Sequence, residues 1–175
     1  MSPFLMNLAA CFIVIIINQG LKKYGGDLAI GAFGIVNRLV FIVVMIVMGL
    51  NQGMQPIAGY NFGAKLYGRV NKVLRLTIIY ATVVTTFGFL VGMLVPDLVV
   101  GIFTSDAELT ELSVTGLRIT VMFFPIIGFQ MVTSNFFQSI GMAGKAIFLS
   151  LTRQMLILLP CLLVLPQFFG VAGVW

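Results

Sequence analysis

Long apolar runs and short polar breaks alternate along the whole chain. Five runs stand out, over residues 3–21, 28–64, 76–96, 119–144 and 154–175. A helix needs about 20 residues to cross a hydrocarbon layer, and each run is of that order or longer. None has the strict alternation of a lipid-facing strand. A spanning segment must also satisfy its own backbone groups, so all five are predicted to be helices. The run over 28–64 is too long for one helix standing upright in a bilayer, so it is tilted or projects beyond it. The pattern predicts an all-α fold, a polytopic membrane helix bundle. Its most unusual stretch is Gly49–Arg75, which starts inside an apolar run, carries Asn51, Gln52, Gln55 and Pro56, and then breaks into bases.

Composition agrees with the pattern. Only 9% of residues are charged and 60% are hydrophobic, against about 25% charged residues in a soluble domain. The first partner is therefore the lipid bilayer, and the net charge of +5 is no sign of a nucleic-acid partner. The chain has no histidine, which removes imidazole acid–base chemistry and most zinc sites. Cys11 and Cys161 both lie within apolar runs and read as packing residues rather than as a disulfide or metal pair. The start at Met1-Ser2-Pro3 lacks the basic region of a secretory signal and reads as a chain entered midway.

Charge placement predicts orientation. One connection holds Lys65, Arg69, Lys72 and Arg75, another holds Lys145 and Arg153, and neither contains an acid. Asp97, Asp106, Glu108 and Glu111 share the connection between them. Basic connections stay in the cytoplasm, so the first helix starts inside and Trp175 ends near the outer face. Lys22 and Lys23 run against this assignment and are outvoted. Ser105-Asp-Ala-Glu108 fits a capping box, with Ser105 as N-cap, and predicts a short outer helix leading into the fourth span. On the inner side, Lys65, Arg69 and Lys72 fall opposite Leu66, Val70, Val73 and Leu74. That predicts an interfacial amphipathic helix or an extension of the third span, its bases serving first as a topology signal.

Inside the second span, Asn37, Phe41, Met48, Asn51, Gln52 and Gln55 cluster on one helical face, with Gly49 and Gly53 beside them. Amides offer donors and acceptors without fixed charge, and methionine adapts its shape, which suits a cavity for varied amphipathic molecules. The alternative is that the amides tie helices together while Gly49 and Gly53 let backbones approach. Gln130, Ser134 and Gln138 repeat the style on the fourth span, where Pro125 predicts a kink, as Pro160 does on the fifth. Arg38 is the one charge placed well inside a span, either a functional group or a sign that the helix projects into a water-facing vestibule. No span contains Asp or Glu, and no P-loop, dinucleotide loop or hydrolase triad is present, so the chain is not expected to be an enzyme.

The segment GLNQGMQPIAGYNFGAKLYGRVNKVLR resembles the region after the second helix of the C-terminal lobe in multidrug and toxic compound extrusion (MATE) transporters. NFFQSIGMAGKAIFLSLTRQ resembles the connection between the fourth and fifth helices of that lobe, and SPFLMN and FFGVAGVW match the start of its first helix and the stretch before its last. The resemblance covers essentially the whole chain and points to the bacterial, MepA-like branch. It implies five helices of a six-helix lobe, with an N-terminal six-helix lobe as missing partner, in the plasma membrane. It further implies exchange of organic cations or other xenobiotics for protons or sodium, with no bound cofactor. The acids that hold ions in some members have no counterpart here, which places the coupling site outside this chain. The rival expectations are a lipid-linked oligosaccharide flippase of the same superfamily and a helical bundle that transports nothing.

Overall fold

A computed structural model describes residues 2–142, 144–146, 148, 152 and 159–173. Among the described residues the secondary structure is helical throughout. Helix α1 runs over Ser2–Gly63, α2 over Tyr67–Leu94, α3 over Pro96–Gly101, α4 over Ala107–Val121, α5 over Phe124–Ser139 and α6 over Leu159–Phe169. A 3-10 turn, Gly170–Gly173, follows α6.

Helix α1 is two arms rather than one rod. Gly26 breaks it with φ 64° and ψ −158°, a conformation that only a residue without Cβ adopts readily. The kink is made without a polar loop, and Lys22, Lys23 and Asp27 sit exposed around it. The long arm, Gly25–Gly63, has 39 residues, about 58 Å of helix. It exceeds a hydrocarbon core of about 30 Å even when tilted. Pro56 lies within it without ending it.

Helix α2 has 28 residues and the composition of a membrane span. Its first turns are the basic stretch, which thus extends the span rather than forming a separate surface helix. Lys65, with φ 57°, turns the chain between the long arm and α2. Two corrections fall on the other side of the molecule. The N-cap of α4 is Asp106, not Ser105: Asp106 accepts from the backbone N–H groups of Glu108 and Leu109 at 3.0 and 3.1 Å. A carboxylate at this position both accepts these bonds and faces the positive end of the helix dipole, two advantages a serine one residue earlier lacks. Further along, the stretch expected as a span over 119–144 is the second half of a bent pair. Helices α4 and α5 meet at 53° across Met122 and Phe123. Pro125 sits in the first turn of α5, where its missing N–H costs nothing. Arg153 and the stretch 153–158 before α6 lie outside the described residues.

The elements pack as a bundle with two distinct ends. Helix α5 runs alongside the long arm in the same direction. Gly88 of α2 lies between Val43 and Phe124, Gln55 meets Asn135, and Gly59 faces the backbone of Ser139. Helix α2 runs back against both. At one end, Leu21 and Ala29 on either side of the Gly26 kink pack with Leu162 and Val171. At that same end Gly31 faces Leu109 near the start of α4. The middle is Val36, Val100, Leu117, Val121 and Phe124. Toward the other end Val47, Met54, Ala58, Val70, Ala81, Val132 and Phe136 form a continuous core. The acids Asp27, Asp97, Asp106, Glu108 and Glu111 all belong to the first end, and Lys65, Arg69, Lys72, Arg75 and Lys145 to the second.

Candidate functional site

The six residues expected on one face of the second span divide into two groups. Asn37, Phe41, Met48 and Gln52 lie on the exposed side of the long arm, while Asn51 turns inward and is 2% exposed. Gln55 is half-buried, and its Nε2 donates to Asn135 Oδ1 on α5 at 3.3 Å. The wide arc that joined them on paper straddles the boundary between core and surface. Gln55 is therefore a tie between helices, and Asn51 sits in the core with neither amide atom hydrogen-bonded among the described residues.

The exposed group forms the more open feature. Phe41, Met45, Met48 and Gln52 recur at helical spacing and are all exposed, the three apolar ones by 55%, 57% and 47%. Met45 escaped the sequence reading, although its spacing from Phe41 and Gln52 is the signal that would have found it. Gly49 borders this stripe and Gly53 follows it, and a Cβ on either would meet nothing within 4 Å. Among the described residues they do not act as a close-approach pair. That role belongs to Gly88, Gly92 and Gly128, where an added Cβ would lie 3.0 Å from Val43, 3.0 Å from Val121 and 2.7 Å from Thr85.

On α5 the polar residues turn toward the lobe. Ser134 is buried, Gln130 and Gln138 are half-buried and each has a polar or ring contact. Asn135 donates to the Met131 carbonyl at 2.9 Å while accepting from Gln55. Its open face is instead apolar, with Ile126 and Phe129 exposed. The surface available to a ligand is thus mostly the long arm, with amides, an aromatic ring and thioethers. Among the described residues, no group of acids and cysteines could hold a metal ion.

Arg38 is exposed one turn before Phe41, so it lies at the end of the same stripe. A second arginine was passed over in the sequence reading because it falls just before the expected fourth span. Arg118 is exposed on α4, four residues before the bend, next to Leu117, which packs in the same cluster as Val36. The two arginines therefore lie at similar depth on neighbouring helices. The basic end carries Lys65, Arg69, Lys72 and Arg75, all exposed, and Lys145, whose Nζ lies 5.8 Å from the centre of the Phe137 ring.

A helical bundle with two long spans, a third broken one and an amide-bearing open face is what a membrane carrier lobe offers. The sequence profile of the MatE family matches residues 3–163. The chain belongs to the MatE family. This MatE chain is 29% identical over 171 residues to the multidrug export protein MepA of Staphylococcus aureus strain MSSA476, covering 98% of the chain and 37% of that protein. It is 26% identical to MepA of Staphylococcus saprophyticus over the same length. Among solved structures it is similar to the MATE multidrug transporter DinF-BH, with TM-score 0.85 and 38% identity over 99% of the chain and 39% of that protein. The crystal structure of a MATE mutant shares the fold at TM-score 0.89 and 20% identity, over 98% of the chain and 38% of that protein. The MatE chain thus spans well under half the length of these relatives. It is a membrane protein of a transporter family, and that family's members are carriers rather than enzymes.

Proposed function

We propose that this chain supplies helices of the C-terminal lobe of a multidrug efflux antiporter of the plasma membrane and works with an N-terminal six-helix lobe. The observation that carries this reading is the open stripe Phe41, Met45, Met48 and Gln52 on a helix long enough to reach from one membrane face to the other. A thioether-rich surface takes ligands of many shapes, and an amide orients them without demanding a counter-charge. The substrates are amphipathic xenobiotics, organic cations among them. Arg38 repels a cation at one end of the stripe, so a cationic substrate sits around Met48 and Gln52. Relatives described as multidrug exporters support the substrate class.

In this reading the basic end faces the cytoplasm, by the rule that retains lysine and arginine inside. Alternating access comes from two bundles rocking against one another around a central site, so the stripe faces the other lobe. Proton or sodium coupling resides outside this chain, because no carboxylate lies along the stripe or in the cores beneath it. A lipid-linked oligosaccharide flippase would gather several bases around a pyrophosphate, and Arg38 with Arg118 on the neighbouring helix is a sparse set for that role. The test is efflux of a cationic dye such as ethidium by the full transporter carrying Met48→Ala with Gln52→Ala. Retained expression with an export rate several-fold lower is expected; unchanged export and unchanged dye affinity would overturn the assignment of the stripe.

A further inference from the structure

We propose that the basic end of α2 is a binding site for an anionic phospholipid headgroup, formed by Arg69, Lys72 and Arg75 at the head of a lipid-facing stripe. The inference rests on membrane placement alone and not on the efflux reading. Helix α2 turns Val70, Thr77, Ala81, Thr85 and Gly92 into the lobe. Its opposite face opens with Arg69, Lys72 and Arg75, all exposed, and continues as Leu76, Val83, Phe87 and Leu94, exposed by 43%, 61%, 67% and 75%. From Leu76 to Leu94 the stripe is about 27 Å long at 1.5 Å per residue. A hydrocarbon core is about 30 Å thick. With the stripe seated in the acyl chains, the three bases stand where phosphates lie.

The spacing suits a phosphodiester. Bases three residues apart on a helix have Cβ atoms about 5–6 Å apart, so two neighbours can reach one phosphate. No carboxylate competes for them, because all five acids in the chain are Asp27, Asp97, Asp106, Glu108 and Glu111 at the other end of the bundle. Tyr67 and Tyr80, exposed by 55% and 58%, flank the basic turns, and amphipathic rings of this kind favour the membrane–water boundary. The bases and the apolar stripe occupy one face of α2, so a lipid whose chains lie along the stripe has its headgroup beside the bases.

The experiment uses the full transporter in nanodiscs of mixed phosphatidylcholine and phosphatidylglycerol, with bound lipids counted by native mass spectrometry. Several-fold enrichment of phosphatidylglycerol over the bulk mixture is expected for the unmodified protein, falling to about the bulk ratio in R69Q/K72Q/R75Q. The charge-keeping variant R69K/R75K and the opposite-end variant K22Q/K23Q should retain it. Absence of enrichment in the unmodified protein, or an equal loss in K22Q/K23Q, would overturn the proposal. So would displacement of the lipid by inorganic phosphate alone, which would make this a free-anion site. Dye export measured in parallel separates the two readings, since export can fail while lipid enrichment persists.

Discussion

Asn51 poses the sharpest question at the scale of single residues. Its amide is buried among Val47, Met54 and their neighbours without a hydrogen-bond partner among the described residues, and a buried unsatisfied polar group costs about 1–3 kcal/mol. Asn51→Leu, close in volume, is therefore expected to keep or raise the melting temperature of the detergent-solubilised transporter. A clear fall would mean that the amide has a partner in the complete protein. The opposite holds one turn on. Gln55 and Asn135 join two helices, so Asn135→Ala should lower stability by about 1 kcal/mol while leaving dye affinity intact, read by thermal melts and equilibrium binding on one sample. Two amides four residues apart thus have opposite expected effects, which periodicity could not have told because both fall within the same broad arc.

At the scale of elements, close helix contact depends on glycines at particular depths. A Cβ on Gly128 would lie 2.7 Å from Thr85 Oγ1 and 2.8 Å from Thr85 Cγ2, and overpacking of this kind costs about 1–3 kcal/mol. Gly128→Ala should thus destabilise the lobe by that order, whereas Gly53→Ala, with open space around it, should not. Equal melting temperatures for the two variants would remove the claim that α2 and α5 are held at contact distance there. The sequence carried the clue at Gly88 and Gly92, spaced four apart within one span. Gly49 and Gly53, set among amides, have the same spacing but open space around them among the described residues. Helix identity was legible wherever a long apolar run fixed it, as in the long arm and α2. The kink at Gly26 was legible only as a weak polar break, since a single glycine makes it. The split between α4 and α5 was largely legible: the capping pattern announced an outer helix and Pro125 marked a bend, but hydropathy placed the boundary at residue 119, inside α4. The cap went to Asp106 because a carboxylate outcompetes a neighbouring hydroxyl, a local preference that the Ser-x-x-Glu pattern masked.

For the whole molecule, the open faces matter more than the core. The long arm leaves Phe41, Met45 and Met48 uncovered, and in the proposed transporter the second lobe and the substrate cover them. Cells that produce this chain by itself should therefore show no dye export above background, even where the chain is inserted and helical; measurable ethidium export would sink the two-lobe reading. The open stripe, the amide ties and the membrane class were each partly readable in advance. Which amides face out was not, because that depends on where α5 packs.

The segregation of charge between the two ends has an electrical consequence. Five bases, Lys65, Arg69, Lys72, Arg75 and Lys145, stand at one end, while at the other five acids oppose Lys22 and Lys23. Carrying one elementary charge across a resting membrane costs about 2.3 kcal/mol for each 100 mV. In the orientation proposed above, with the basic end on the negative side, the lobe sits at its electrical minimum, and turning it over would move both the bases and the acids uphill. In that proposed orientation an energised membrane acts as a latch on the lobe, resisting its inversion by voltage alone.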